Sequence, residues 1–105
     1  MIFTTTETVP GKQIQAVVGV VTGNVVQSKH VGRDIMAGLK SIVGGELAGY
    51  TEMMSEARDT AIERLVNEAK NLNADAIVGI RFTTSAVTDG ASEIMAYGTA
   101  VTLED

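Results

Sequence analysis

Apolar and β-branched residues run together in extended stretches at the start and end of the chain and recur at helical spacing in between. Residues 2–8, Ile-Phe-Thr-Thr-Thr-Glu-Thr, are β-branched and suit a short strand. Val9-Pro10-Gly11-Lys12 reads as a type II turn, with Pro presetting φ and Gly accepting a positive φ. Ile14 to Gln27 is Val-rich on both parities: Val17, Val21 and Val25 fall on one, Val18, Val20 and Val26 on the other. A strand apolar on both faces needs cover on both. Gly19 and Gly23 interrupt it and predict a bend, a bulge or a close backbone approach. A hairpin at Thr22-Gly23-Asn24 is the competing arrangement.

Asp34 to Val43 is expected to be a short helix, capped by Asp34 and ended by Gly44-Gly45. A longer helix is expected over Thr51 to Asn73. Its apolar stripe is Tyr50, Met54, Ala57, Ala61, Leu65, Ala69 and Leu72, in steps of three and four that keep one face inward. Asn71 and Asn73 supply its C-terminal stop.

Ala76–Val87 and Ser92–Leu103 are expected to be strands joined by Asp89-Gly90, a type I′ hairpin signal. With that two-residue loop, Thr88 faces Ala91. One face then carries Val78, Ile80 and Phe82 opposite Val101, Thr99 and Tyr97. The other carries Ile77, Gly79, Arg81 and Thr83 opposite Thr102, Ala100, Gly98 and Ala96. The larger residues are assigned to the helix. The small-residue face is left without a layer, which points to self-association. A monomer whose 34–43 helix folds across that face is the competing arrangement.

The elements describe an α+β fold in one domain over residues 1–105. Composition narrows the function classes. The chain is 45% hydrophobic with no Trp, so the core must be aliphatic. Net charge is −5 and the eight basic residues are scattered, which argues against nucleic acid or acidic membranes as partners. There is no Cys, hence no disulfide, thiolate metal site or Cys nucleophile. No signal peptide is expected at residues 1–10 and no run is long enough to span a bilayer, so a cytoplasmic location is expected.

Candidate chemistry is sparse. Glu52, Glu56, Asp59 and Glu63 form one acidic helix stripe, which reads better as a solvated face than as a cation site. His30, the single histidine, reads as a loop residue. The methionines read as core filling. Gly44-Gly45-Glu46 lacks the Lys and Ser/Thr of a phosphate loop. Glu46 and Tyr50 are four residues apart near the start of the long helix. Arg81, on the small-residue face, needs acceptors there, such as a carboxylate of another chain or an anion.

These residues resemble the YbjQ-like family. The matching stretches are Thr4-Thr5-Thr6, Pro10-Gly11, Val43-Gly44-Gly45-Glu46 with Tyr50, Glu56-Ala57-Arg58 with Ala61, Ala74-Asp75-Ala76-Ile77-Val78-Gly79 with Arg81-Phe82, and Ala96-Tyr97-Gly98-Thr99-Ala100-Val101. Asn73 departs from the family's usual Gly but tolerates the same left-handed conformation. The resemblance implies a two-layer, dodecin-like β-α-β-β subunit with an antiparallel sheet. It also implies a homo-oligomeric ring, a pentamer. The family's heavy-metal-binding label transfers poorly to a chain without thiolates.

The leading expectation is a non-enzymatic oligomeric binding or scaffold protein, with itself as partner and no cofactor. The alternatives are a metal-binding protein, with no metal ligands assigned, and an enzyme whose site lies at a subunit interface. The interface candidates are Glu46, Tyr50, Arg58 and Arg81, and none is assigned a catalytic role.

Overall fold

A computed structural model describes residues 1–28, 48–88 and 91–105. The expected helix over 34–43, His30, Met36, Gly44-Gly45-Glu46 and the Asp89-Gly90 loop lie outside these residues. The elements are β1 (Ile2–Phe3), β2 (Ile14–Ser28), α1 (Ala48–Asn71), β3 (Ala76–Thr88) and β4 (Ala91–Leu103). The strands form one sheet in the order β1-β3-β4-β2. The β2-α1-β3-β4 portion is the expected β-α-β-β arrangement. The sheet is mixed rather than antiparallel, because β1 runs parallel to β3.

Local chemistry explains each boundary. Lys12 N–H donates to the Val9 carbonyl at 3.0 Å and Gly11 sits at φ 81°, so the expected type II turn forms. β2 runs unbroken through Gly23, which pairs with Ala96, so the competing hairpin does not form. A Cβ on Gly23 would lie 2.0 Å from the Ala61 carbonyl oxygen and 2.6 Å from Leu65 N. Helix backbone therefore rests directly on strand backbone there. At its end α1 closes with the Schellman pattern: Ala74 N–H donates to Ala69 O at 3.1 Å and Asn73 N–H to Lys70 O at 3.0 Å. Asn73 takes the left-handed conformation, φ 58°.

Two bulges reset the faces. Thr88 pairs with Ala91 as expected, but the β3–β4 register shifts between Ala86 and Thr88 and again between Val78 and Arg81. The second shift contains Gly79 at φ 64°. It puts Ile77 and Ile80 on one face, with Ala96 and Ala100. That face, not the one bearing Val78 and Tyr97, packs on α1. The helix side thus carries the smaller residues, the reverse of the expected assignment. In β2 a bulge between Val17 and Gly19 separates Val17 from Val21 and Val25. Val21 and Val25 are buried under α1, whereas Val17 is 69% exposed.

The main core joins Ala57, Ala61, Leu65 and Ala69 of α1 to Val21, Val25, Ile77, Ile80, Ile94, Ala96 and Ala100. Met54 packs at its edge, but Leu72, expected in the stripe, is exposed beyond the helix end. On the opposite face Val9 covers Ala76, Val78 and Val101 at one end only. The radius of gyration is 16.9 Å, against about 13 Å for a compact chain of this length. The chain is elongated, so more of its sheet meets the surroundings.

Candidate functional site

The sheet face turned away from α1 is the most distinctive surface. Register places on it Val17, Val20, Thr22, Asn24 and Val26 of β2, then Glu93, Met95, Tyr97 and Thr99 of β4, and Arg81 and Thr83 of β3. Val20 is 73% exposed and Val26 60% exposed. An antiparallel sheet face in water normally alternates to polar residues. This one keeps β-branched apolar side chains in its edge strand.

Arg81 lies on this outer face opposite Tyr97, not among Gly79, Gly98 and Ala100 as the simple hairpin register requires. Its Nη1 donates to the Thr5 carbonyl at 2.8 Å and to the Ile80 carbonyl at 2.9 Å. The side chain is exposed. Among the described residues its acceptors are backbone oxygens of the N-terminal segment and its own strand, rather than a carboxylate. That segment is further ordered by Thr6 Oγ1, which donates to the Thr8 carbonyl at 2.6 Å, and by backbone bonds from Gly79 N–H to Thr6 O and Ile80 N–H to Thr4 O. Arg81 thus clamps the chain that carries Val9 onto the sheet.

Arg58 sits on the solvent side of α1 and its Nη2 donates to Ser55 Oγ at 3.2 Å. Tyr50 lies in the first turn of α1, and Glu46 is outside the described residues. Arg58 and Arg81 stand on opposite sides of the sheet layer. A single chain therefore does not bring the two arginines into one site.

The sequence reading missed a cluster at the edge of β2. Arg64 Nη1 donates to the Asn24 carbonyl, Glu68 Oε2 accepts Thr22 N–H at 3.4 Å, and Asn24 Nδ2 donates to Glu93 Oε2 at 2.8 Å. The one sequence signal was the spacing of Arg64 and Glu68, which puts both on one side of a helix.

The acidic stripe Glu52, Glu56, Asp59 and Glu63 is exposed. Among the described residues no three of His, Cys, Asp and Glu converge as a metal site would require. Soft metals prefer thiolates, which the chain lacks. The described donor set does not fit a heavy-metal centre. Among the described residues no helix is long and apolar enough to cross a membrane.

Comparison with known proteins covers the whole chain. Residues 1–104 match the YbjQ family model, described as "Putative heavy-metal-binding". A UPF0145 protein of Psychromonas ingrahamii is 73% identical over 99% of both chains. Another, from Thermotoga maritima, is 58% identical over 99% of this chain and 98% of its own length. A crystal structure of a protein of unknown function from Pediococcus pentosaceus, assigned to the DUF74 family, superimposes with a TM-score of 0.68 at 21% identity, covering 99% of this chain and 98% of that one. At that identity the likeness concerns the fold. The matched sequence, by contrast, runs through nearly every residue from the N-terminal threonines to β4, and the chain belongs to the YbjQ family.

Proposed function

We propose that the protein is a non-enzymatic, self-associating binding or scaffold protein whose copies cover one another's outer sheet face. The observation that carries this reading is the outer face of β2, where Val17, Val20 and Val26 stand 69%, 73% and 60% exposed. Burying such a side chain gains about 1.5–3 kcal/mol, and exposed apolar surface that is contiguous marks an interaction site. A second copy supplies a matching apolar surface without requiring another gene product. The elongated subunit supports the same reading. A pentameric ring is the form implied by the family resemblance, and the cytoplasm is its expected location. In such an assembly Glu46, Tyr50, Arg58 and Arg81 are the residues to test for a shared ligand.

The deciding experiment is native mass spectrometry of untagged protein, with sedimentation velocity at micromolar concentration. A stable five-fold mass supports the ring. A well-folded monomer across that range removes the reading. Any retained metal or small molecule appears as added mass in the same spectrum.

A further inference from the structure

The backbone of β2 is paired on one side by β4 and, among the described residues, by no strand on the other. Alternate residues of a strand direct their N–H and C=O groups to the same edge. Thr22 and Asn24 are such a pair. Both are held by side chains of α1: Thr22 N–H by Glu68, and the Asn24 carbonyl by Arg64. Four residues of helix advance about 6 Å, and two residues of strand advance about 6.8 Å. The near match lets two side chains of one helix stand where a neighbouring strand's amide and carbonyl would be. Gly23, between the two bonded positions, is where helix backbone touches β2, so Arg64 and Glu68 start from a fixed point.

We propose that Arg64 and Glu68 form an edge guard. They take the central hydrogen-bonding groups on the edge of β2 turned away from β4, so that no strand of a second copy can run along β2 past residue 22 without displacing them. Exposed edges are templates for open-ended strand addition, and charged side chains are a natural way of blunting them. β2 needs this more than most strands, being 15 residues long, rich in Val and free of Pro. The guard directs association to the outer face and keeps the assembly finite. This last clause rests on the self-association reading. The blocking of the edge does not.

The test compares wild type with Arg64→Ala/Glu68→Ala and with Arg64→Lys/Glu68→Gln, which keeps one donor and one acceptor. Hydrogen exchange of the Thr22 amide is expected to accelerate roughly tenfold in the alanine variant, the loss of about one hydrogen bond. The conservative variant is expected to stay near wild type. On prolonged incubation the alanine variant is expected to grow thioflavin-positive aggregates. Unchanged Thr22 exchange with no such growth would overturn the proposal. Should the double variant not fold, Glu68→Ala alone reads the Thr22 amide. A monomeric wild type would remove the association reading, while the exchange and aggregation measurements would still judge the guard.

Discussion

The two faces of one sheet follow opposite rules. Toward α1 the strands present Val21, Gly23 and Val25, then Ile94, Ala96, Gly98 and Ala100, with Ile77 and Ile80 beyond. These meet a helix stripe that is mostly Ala: Ala57, Ala61 and Ala69, with Leu65 as its one large, fully buried side chain. Small residues on both layers let backbones touch, as at Gly23. The other face carries Val17, Val20, Val26 and Tyr97, all exposed in the subunit. Residue size here reports how closely the next layer approaches, not how deeply a face is buried. Among the described residues, the face with bulky apolar groups is the one without a second layer.

The largest effect is expected on the inner face. In Gly23→Ala the new Cβ meets backbone atoms of Ala61 and Leu65, which cannot rotate away. Overpacking typically costs 1–3 kcal/mol and more when backbone must move, so a loss of about 3 kcal/mol or more is expected in urea denaturation. A near-normal midpoint would mean that α1 slides freely on β2, and the contrast between tight and open faces would fail.

On the outer face the proposed self-association, rather than the fold, is expected to be lost. Val17→Lys/Val20→Lys adds two exposed cations to a surface that is already wet in the subunit. Stability of the isolated chain is expected to change by no more than about 0.5 kcal/mol per site. Light scattering behind size exclusion is expected to show a smaller species. A variant of unchanged mass would remove the outer face from the proposed association.

A smaller effect isolates the bulge that divides the faces. A Cβ on Gly79 would meet nothing within 4 Å, yet the residue sits at φ 64°. Gly79→Ala is therefore expected to cost about 1–2 kcal/mol through backbone conformation alone, with Gly79→Asn recovering part of it. Equal melting temperatures for all three would mean that the register shift does not depend on this conformation.

Much of the framework was legible in the sequence because it rests on local rules. The Pro10-Gly11 turn, the Asn73 stop and the Ala57–Ala61–Leu65–Ala69 stripe each follow from neighbours in the chain. So did the close approach at Gly23 and the irregularity at Gly19. What failed was the counting of parity. Strand faces were assigned by strict alternation, and single-residue bulges near Val18 and Gly79 each reversed it. Arg81 was misplaced by the further shift between Ala86 and Thr88, which moves its partner from Gly98 to Tyr97. The parallel pairing of β1, and the reach of Arg64 and Glu68 to β2, depend on contacts between distant segments. No local period encodes these. Of the candidate set, Arg81 came from the hairpin register, whose parity failed, while Glu46, Tyr50 and Arg58 came from spacing and the resembling stretches, which do not indicate the side of the sheet a residue occupies.

The smallest expected effect tests Arg81 itself, whose position separates a subunit role from an interface role. Its bonds to Thr5 O and Ile80 O are exposed to solvent on at least one side, so water replaces them readily. A hydrogen bond of this kind contributes about 0.5–1.5 kcal/mol, and the exposed setting puts Arg81→Ala near the lower end. The clamp it forms holds the segment that carries Val9, so limited proteolysis within residues 4–8 is expected to quicken while the rest of the chain stays protected. Arg81→Lys keeps the charge but not the two-pronged Nη1 contact, and is expected to behave like the alanine variant. If Arg81 also pairs with a carboxylate of a second copy, the loss rises to several kcal/mol, because one charge is left buried alone. The melting temperature of the assembled variant then falls much further than that of a variant already made monomeric by Val17→Lys/Val20→Lys. Equal shifts in the two backgrounds confine Arg81 to the subunit, and unequal shifts put it in the contact between copies.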